Sequence, residues 1–414
     1  MKVRMRFKES EIVERSAIEE KTGKIQRRTQ TSSTMSSHDN DTSQSEHIPL
    51  DLTIEILSRL PAKSVGRFRS VSKLWSTITT SKDFINSFAT RSLASQPSVL
   101  VTVYKGDMLF VFSSPLNKSS SDGPLSCLGS YPCKNPNFGN LHRYKYVHGL
   151  IFLEGSKQLV IWNPTLKRFL TLPEPEGHGK CDRVGCIVLG FDSSEGKYIV
   201  LRSLGGLTIC IHTLGTQGQG LCRKIITLGV PWHIPTIRFC GCINGIMYYG
   251  AAVFVGIRIE HHIISFDVRS EKFNQIKCPE RNLLMSSHMV PYEGRLAIVK
   301  TMNLPSIELW ILKNGDKDEW THRHFVLPLA EMDLIQSEKL CFYGVSYVGE
   351  LIFTQRRLFG SFYILYFDPR RNSVRDVLFE GIVGDEFRSR YGFRKDCMYT
   401  MNVYPNHIQS LVSL

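Results

Sequence analysis

The chain has 414 residues, 42% hydrophobic and 21% charged, a composition that excludes a largely disordered polymer and leaves room for two folded units. Its formal net charge is +13, yet residues 92–414 hold 35 basic and 27 acidic residues spread along the sequence, which excludes the concentrated basic footprint of a nucleic-acid binder. No apolar run reaches the roughly 18–20 residues that cross a bilayer, so no membrane partner is expected.

Residues 1–47 open on a charged mixture without the apolar core of a secretory signal and pass into a Ser/Thr/Asp-rich stretch. That composition predicts a disordered tail, because it cannot bury enough apolar surface to offset the entropy of ordering. The eleven cysteines contain no C-x-x-C pair and read as scattered reduced thiols, which places the protein in the cytoplasm or nucleus.

Residues 48–91 then turn helical. Asp51 is suited to cap a short helix whose face is Leu52, Ile56, Leu57 and Leu60, and Pro61 ends it. Val65, Phe68 and Val71 mark a second helix, and Leu74, Trp75 and Ile78 a third. Ser81 can cap a fourth that carries Phe84, Ile85 and Phe88. Four helices in so few residues are too small for a stable core of their own and must dock on something.

From Val99 the pattern is β. Runs such as Val99–Tyr104, Gln158–Trp162 and Tyr363–Phe367 are rich in β-branched and aromatic residues, bounded by turn signals such as Asn163-Pro164 and Asp368-Pro369. A unit of turn glycine, apolar strand, aromatic-ended strand and third strand recurs around Gly149, Gly245, Gly294 and Gly349. Looser copies surround Gly106 and Gly196. The six glycines are 43, 47, 49, 49 and 55 residues apart, a period that suits the blades of a β-propeller.

Residues 48–91 resemble the F-box, the docking module of ubiquitin-ligase adaptor proteins. The resemblance is carried by Pro49, Asp51, Leu52, Ile54, Glu55, Ile56, Leu57, Leu60, Pro61, Ser64, Val65, Arg67, Phe68, Arg69, Val71, Ser72, Leu74 and Trp75. Ile48 stands where the family usually has Leu, and Ser70 where many members have Cys, both small changes. The body resembles the plant F-box-associated domain, type 3. It does so through Ile161-Trp162-Asn163-Pro164, Leu189-Gly190-Phe191-Asp192, Cys242-Ile243-Asn244-Gly245, Ser265-Phe266-Asp267 and Glu308-Leu309-Trp310. These resemblances imply that Ile48, Pro49, Leu52, Ile56, Leu57, Leu60, Pro61, Val65, Val71 and Trp75 bind a Skp-type adaptor. They imply also that a cullin and a RING subunit join indirectly, and that the β body recruits a target protein. The segment's seven basic and three acidic residues suit an acidic groove.

No enzymatic centre is expected. There is no Walker A sequence, and Gly215-Thr216-Gln217-Gly218-Gln219-Gly220 lacks a following lysine and reads as a polar hairpin loop. His261-His262 and His322-x-His324 have no carboxylate or cysteine at ligand spacing, so no metal or cofactor is expected. No G-x-S-x-G elbow occurs. The basic and aromatic run Phe387–Lys395 could hold RNA or an acidic peptide, but solvated loops with core aromatics account for it better.

The expected architecture is α+β and multidomain. It comprises a disordered tail over 1–47, a helical F-box over 48–91, an all-β body over 97–380 forming a six-bladed propeller, and an extension over 381–414 that closes or caps it. The expected function is substrate recognition in a Skp–cullin–F-box ubiquitin ligase. The alternative is a non-ligase protein that pairs with the adaptor without promoting ubiquitination.

Overall fold

The computed structural model describes residues 48–414 except 95–96, 107, 116–125, 133–142, 155–158, 173–186, 193–195, 204–207, 215–222, 282, 314–317, 329–339, 359–361, 379–384 and 395–396. The expected tail over 1–47 and the glycine-rich run 215–220 lie outside the described residues.

Four helices come first: α1 (Leu50–Arg59), α2 (Ala62–Phe68), α3 (Lys73–Thr80) and α4 (Lys82–Ala94). Their limits follow local chemistry. Pro61 supplies extended backbone between α1 and α2. The Ser72 hydroxyl accepts from the Trp75 amide at the start of α3, and the Ser81 hydroxyl accepts from the Phe84 amide at the start of α4.

Six antiparallel sheets follow, and they close into a ring of six blades. Blade 2 is Arg143–Val147, Leu150–Glu154, Leu159–Asn163 and Arg168–Leu172; blade 3 is Ile187–Asp192, Lys197–Ser203, Thr208–Leu214 and Arg223–Ile226. Blade 4 is His233–Ile243, Ile246–Val255, Arg258–Asp267 and Phe273–Lys277; blade 5 is Ser287–Tyr292, Arg295–Lys300, Ser306–Leu312 and Trp320–Val326. Blade 6 is Leu340–Val345, Leu351–Gln355, Tyr363–Asp368 and Ser373–Leu378. In each of these the first strand is innermost, against the first strands of its neighbours.

Blade 1 is assembled from both ends of the body. Ser98–Lys105, Met108–Pro115 and Ser126–Pro132 are its outer strands, and Tyr399–His407, the last strand of the chain, is paired on the inside of Ser98–Lys105. The ring thus runs to His407, within the stretch expected to close or cap it. In that stretch α5 (Asp385–Tyr391) lays Phe387 on Phe112 and Tyr391 on Phe110, with ring centroids 5.3 and 5.6 Å apart. The aromatics of the Phe387–Lys395 run are therefore packing residues. An apolar cluster joins every adjacent pair of blades, including blade 6 to blade 1 through Ile352 and Ile364 against Val101 and Phe112. Cys210 is in a disulfide, unlike the expected reduced thiols, whereas Cys242, Cys278, Cys341 and Cys397 are free.

The repeat glycines all have positive φ, but they are not all equivalent. Gly149, Gly196, Gly245, Gly294 and Gly349 each turn the first strand of a blade into its second. Gly106 turns the second strand of blade 1 into the third, because the first strand of that blade comes from the other end of the chain. The meander places first-to-second and third-to-fourth turns on one face of the ring, where the helices enter at Ser98, and the remaining connections on the opposite face.

His148-Gly149 and Glu293-Gly294 are two-residue turns with positive φ at both positions, as type I′ hairpins require. They differ in surroundings: a Cβ on Gly149 would lie 2.8 Å from the Ile408 carbonyl oxygen and 2.7 Å from the Ser410 Cβ, whereas one on Gly294 would meet nothing within 4 Å. Gly294→Ala should therefore cost only about 1–2 kcal/mol of left-handed strain. Gly149→Ala should cost a further ~1–3 kcal/mol of overpacking, read as a larger loss in denaturant midpoint. Equal losses would show that the Ile408–Ser410 contact does not constrain the turn.

Candidate functional site

The apolar residues of α1 divide between two environments. Thr53 and Leu57 face inward, Leu57 with 1% of its surface exposed, in a core that also holds Ala62, Val65, Ile78, Phe84 and Phe88. Leu52 and Ile56, four residues apart and so on one side of the helix, are each 51% exposed. Leu50 and Ile54 form a second exposed i,i+4 row on the other side of the inward face. A helix apolar on both sides of its buried stripe exceeds what one core can cover.

The other residues expected to bind an adaptor separate in the same way. Ile48 and Pro49 lead into α1 and are exposed, as is Pro61. Val71 is exposed between α2 and α3, next to exposed Leu74. Leu60 and Trp75 are half-buried, and the Trp75 ring meets Phe68 edge-on with centroids 4.9 Å apart. Leu57 and Val65, also expected to bind an adaptor, lie in the internal core of this chain with 1% and 0% of their surface exposed. Leu50, Ile54 and Leu74 join the exposed set. Their signal in the sequence is the apolar residue at every second position from Leu50 to Ile56, which a one-sided helix has no use for.

Charge fixes the back of the layer. Glu55 accepts from Arg59 one turn along α1 and from Arg91 on α4, at 2.7 and 2.9 Å. The Arg91 and Arg59 hydrogen bonds hold its carboxyl below the usual range.

The helical layer is stitched to the ring by the last seven residues of the chain. Leu411 completes the helical core, and Leu166, from the third-to-fourth turn of blade 2, packs beside it. The Arg69 guanidinium donates to the Leu411 carbonyl (2.8 Å), the Ser413 hydroxyl (2.9 Å) and the Thr79 carbonyl (3.0 Å). The Ala62 amide donates to the Gln409 side chain, and the Gln409 amide to the Ser92 hydroxyl. From the ring, the buried Asn163 amide group donates to the Ser410 and Val412 carbonyls at 3.1 and 2.9 Å. The Tyr146 hydroxyl accepts from the Ile408 and Gly149 amides and donates to the Asn406 carbonyl. Burial pushes the Tyr146 phenol up.

Among the described residues there is no group of three side chains able to hold a metal ion. His262 bonds Glu260, and His322 lies against Trp310 and Glu308. What the geometry provides is a surface with two exposed apolar rows, oriented by a dense seam.

Comparison with known proteins agrees with this division. Residues 46–87 match the F-box domain model, and residues 98–408 match the F-box associated beta propeller domain. Similar proteins include two F-box proteins of Arabidopsis thaliana. One is 42% identical over 94% of this chain and 98% of its own length, the other 41% identical over 93% and 99%.

Two histidines lie at the seam, His148 half-buried and His407 buried. His148 stacks on Phe191 at 4.1 Å, and His407 ends the last strand beside Tyr146. Burial pushes each down to about 4. With folded values below the unfolded one, each favours the folded state fully above about pH 6.5, and that contribution is lost as the pH falls toward 4. At pH 5 the loss should be about 2 kcal/mol per histidine, read as a fall in urea midpoint. His148→Gln with His407→Gln should flatten this part of the pH profile; an unchanged slope would show that these imidazoles do not govern it.

Proposed function

We propose that this protein, which belongs to the plant F-box proteins carrying an F-box-associated β-propeller domain, is a substrate-recognition subunit of a Skp–cullin–F-box ubiquitin ligase. The observation that carries the reading is the split of α1: Leu57 completes the internal core while Leu52 and Ile56 remain exposed in the F-box itself. A Skp-type adaptor covering Leu52, Ile56, Val71 and part of Trp75 would remove that apolar surface from water. Each large side chain so buried would contribute about 1.5–3 kcal/mol. The cullin and RING subunits would follow through the adaptor. The propeller would hold the target, and this chain would act by proximity, raising the target's effective concentration near a ubiquitin-charged enzyme.

Leu52→Asp with Ile56→Asp should abolish co-purification of the adaptor and leave the thermal melt nearly unchanged, because both side chains already face solvent. Leu57→Ala should behave differently, lowering stability by about 2–5 kcal/mol through a cavity in the shared core. Adaptor binding that survives the double substitution would overturn the assignment.

A further inference from the structure

Blade 4 is built on a longer hairpin than its neighbours. Its second and third strands have ten residues each, against five to seven in blades 2, 3, 5 and 6. Three extra residues carry the Val255-Gly256-Ile257 tip roughly 10 Å beyond the ring, on the face opposite the helices. The fourth strand does not follow. Its last pairing is Lys277 with His262, after which Cys278 turns into the core and Pro279 offers no N–H. Among the described residues, nothing pairs with the outer edge of Arg258–His261, which leaves a row of backbone donors and acceptors at the surface.

The two faces beside this edge differ in chemistry. Cross-strand register puts Ile259 with Phe254, and His261 with Ala252 and Ile234, on one face, and the Trp232 ring lies 5.1 Å from that of Phe254. Phe254, Ile259, Ile234 and Trp232 are all between 43% and 50% exposed. The other face carries Arg258 and Lys277 at the two ends of the bare edge. Between them Glu260 is held by His262 at 3.2 Å.

We propose that this edge receives an extended segment of the target protein as an added strand, recognised as alternating apolar and acidic residues. Apolar side chains on the incoming strand would continue the Phe254–Ile259 face, and carboxylates on its other side would meet Arg258 and Lys277. Main-chain hydrogen bonds give such strand addition its affinity, and the alternation gives its specificity. The inference rests on the propeller being the target-binding part, and it names the surface used.

The test uses the full-length protein and a fluorescein-labelled heptapeptide of alternating valine and glutamate, with a valine–lysine counterpart. The acidic peptide should bind at least about tenfold tighter, and its binding should slow hydrogen exchange at amides 258–261. Arg258→Glu with Lys277→Glu should reverse the preference toward the lysine peptide, a gain that a misfolded variant cannot give. Equal affinity for both peptides, no binding of either, or binding without protection of 258–261 would each overturn the proposal. So would amides 258–261 that are already protected in a protein that is dimeric, which would assign the edge to a second copy. No adaptor is present in this assay. A protein that takes up the peptide but not the adaptor contradicts the ligase reading alone, and one that binds the adaptor but not the peptide contradicts only the added strand.

Discussion

The architecture depends on one pairing, that of Tyr399–His407 with Ser98–Lys105. It closes the ring by joining the last strand of the body to its first, so blade 1 cannot form until the rest of the propeller exists. It also fixes where the chain ends emerge. His407 and Ser98 lie opposite each other at the same end of the blade, so the residues after 407 and the helices before 98 leave the ring side by side. The seven residues that follow are placed to fill the space between helices and ring, and Asn163, Tyr146 and Arg69 hold them there.

That placement resolves a conflict in the helical layer. Four helices of seven to thirteen residues cannot bury Leu57, Val65, Phe84 and Phe88 by themselves. Leu411 and Leu166 supply the missing wall from the body's own surface. Once the inward stripe is satisfied this way, the outward rows of α1 are free to serve another molecule. The same helix thus carries an intramolecular face at Leu57 and an apolar face at Leu52 and Ile56 that its own core leaves uncovered.

Much of this was legible in the residues. Serine caps, Pro61 and the apolar spacing marked the four helices, and the turn glycines marked the blades, because positive φ in a tight hairpin leaves few alternatives to glycine. Gly196 looked like a weak copy yet holds the same turn as the clear ones; its strand pattern was obscured by the irregular sequence before it. Gly106 looked similar but belongs to a different turn, since strand order within blade 1 is split across the chain. Leu57 and Leu52 could not be separated by periodicity, because the whole of α1 is apolar enough to fit either side. The extension over 381–414 was expected to close or cap the ring, but the particular role of Ile408–Leu414 was not legible. Many of its contacts are main-chain carbonyls and amides, which carry no sequence signal, and side chains that bind them, Asn163 and Thr165, are 245 residues or more away.

The stitched seam bears on mechanism through rigidity. A recruiter that works by proximity raises effective concentration only if the held segment and the transferring enzyme keep a productive geometry, and a flexible joint dilutes that gain over every orientation it allows. Here the joint between helices and ring consists of a shared apolar core, a three-way arginine contact and a fully used tyrosine hydroxyl. None of these can be broken singly without leaving a buried polar group unpaired or a cavity open, so the two parts should move as one body. The long hairpin of blade 4, on the opposite face, is then held at a fixed orientation to the exposed rows of α1. In a recruiter of the proposed kind, variation in the blade 4 hairpin would change what is gripped without disturbing how it is presented, because among the described residues the seam draws on α1 to α4, blade 2, the Phe191 and Tyr198 end of blade 3, and the chain end.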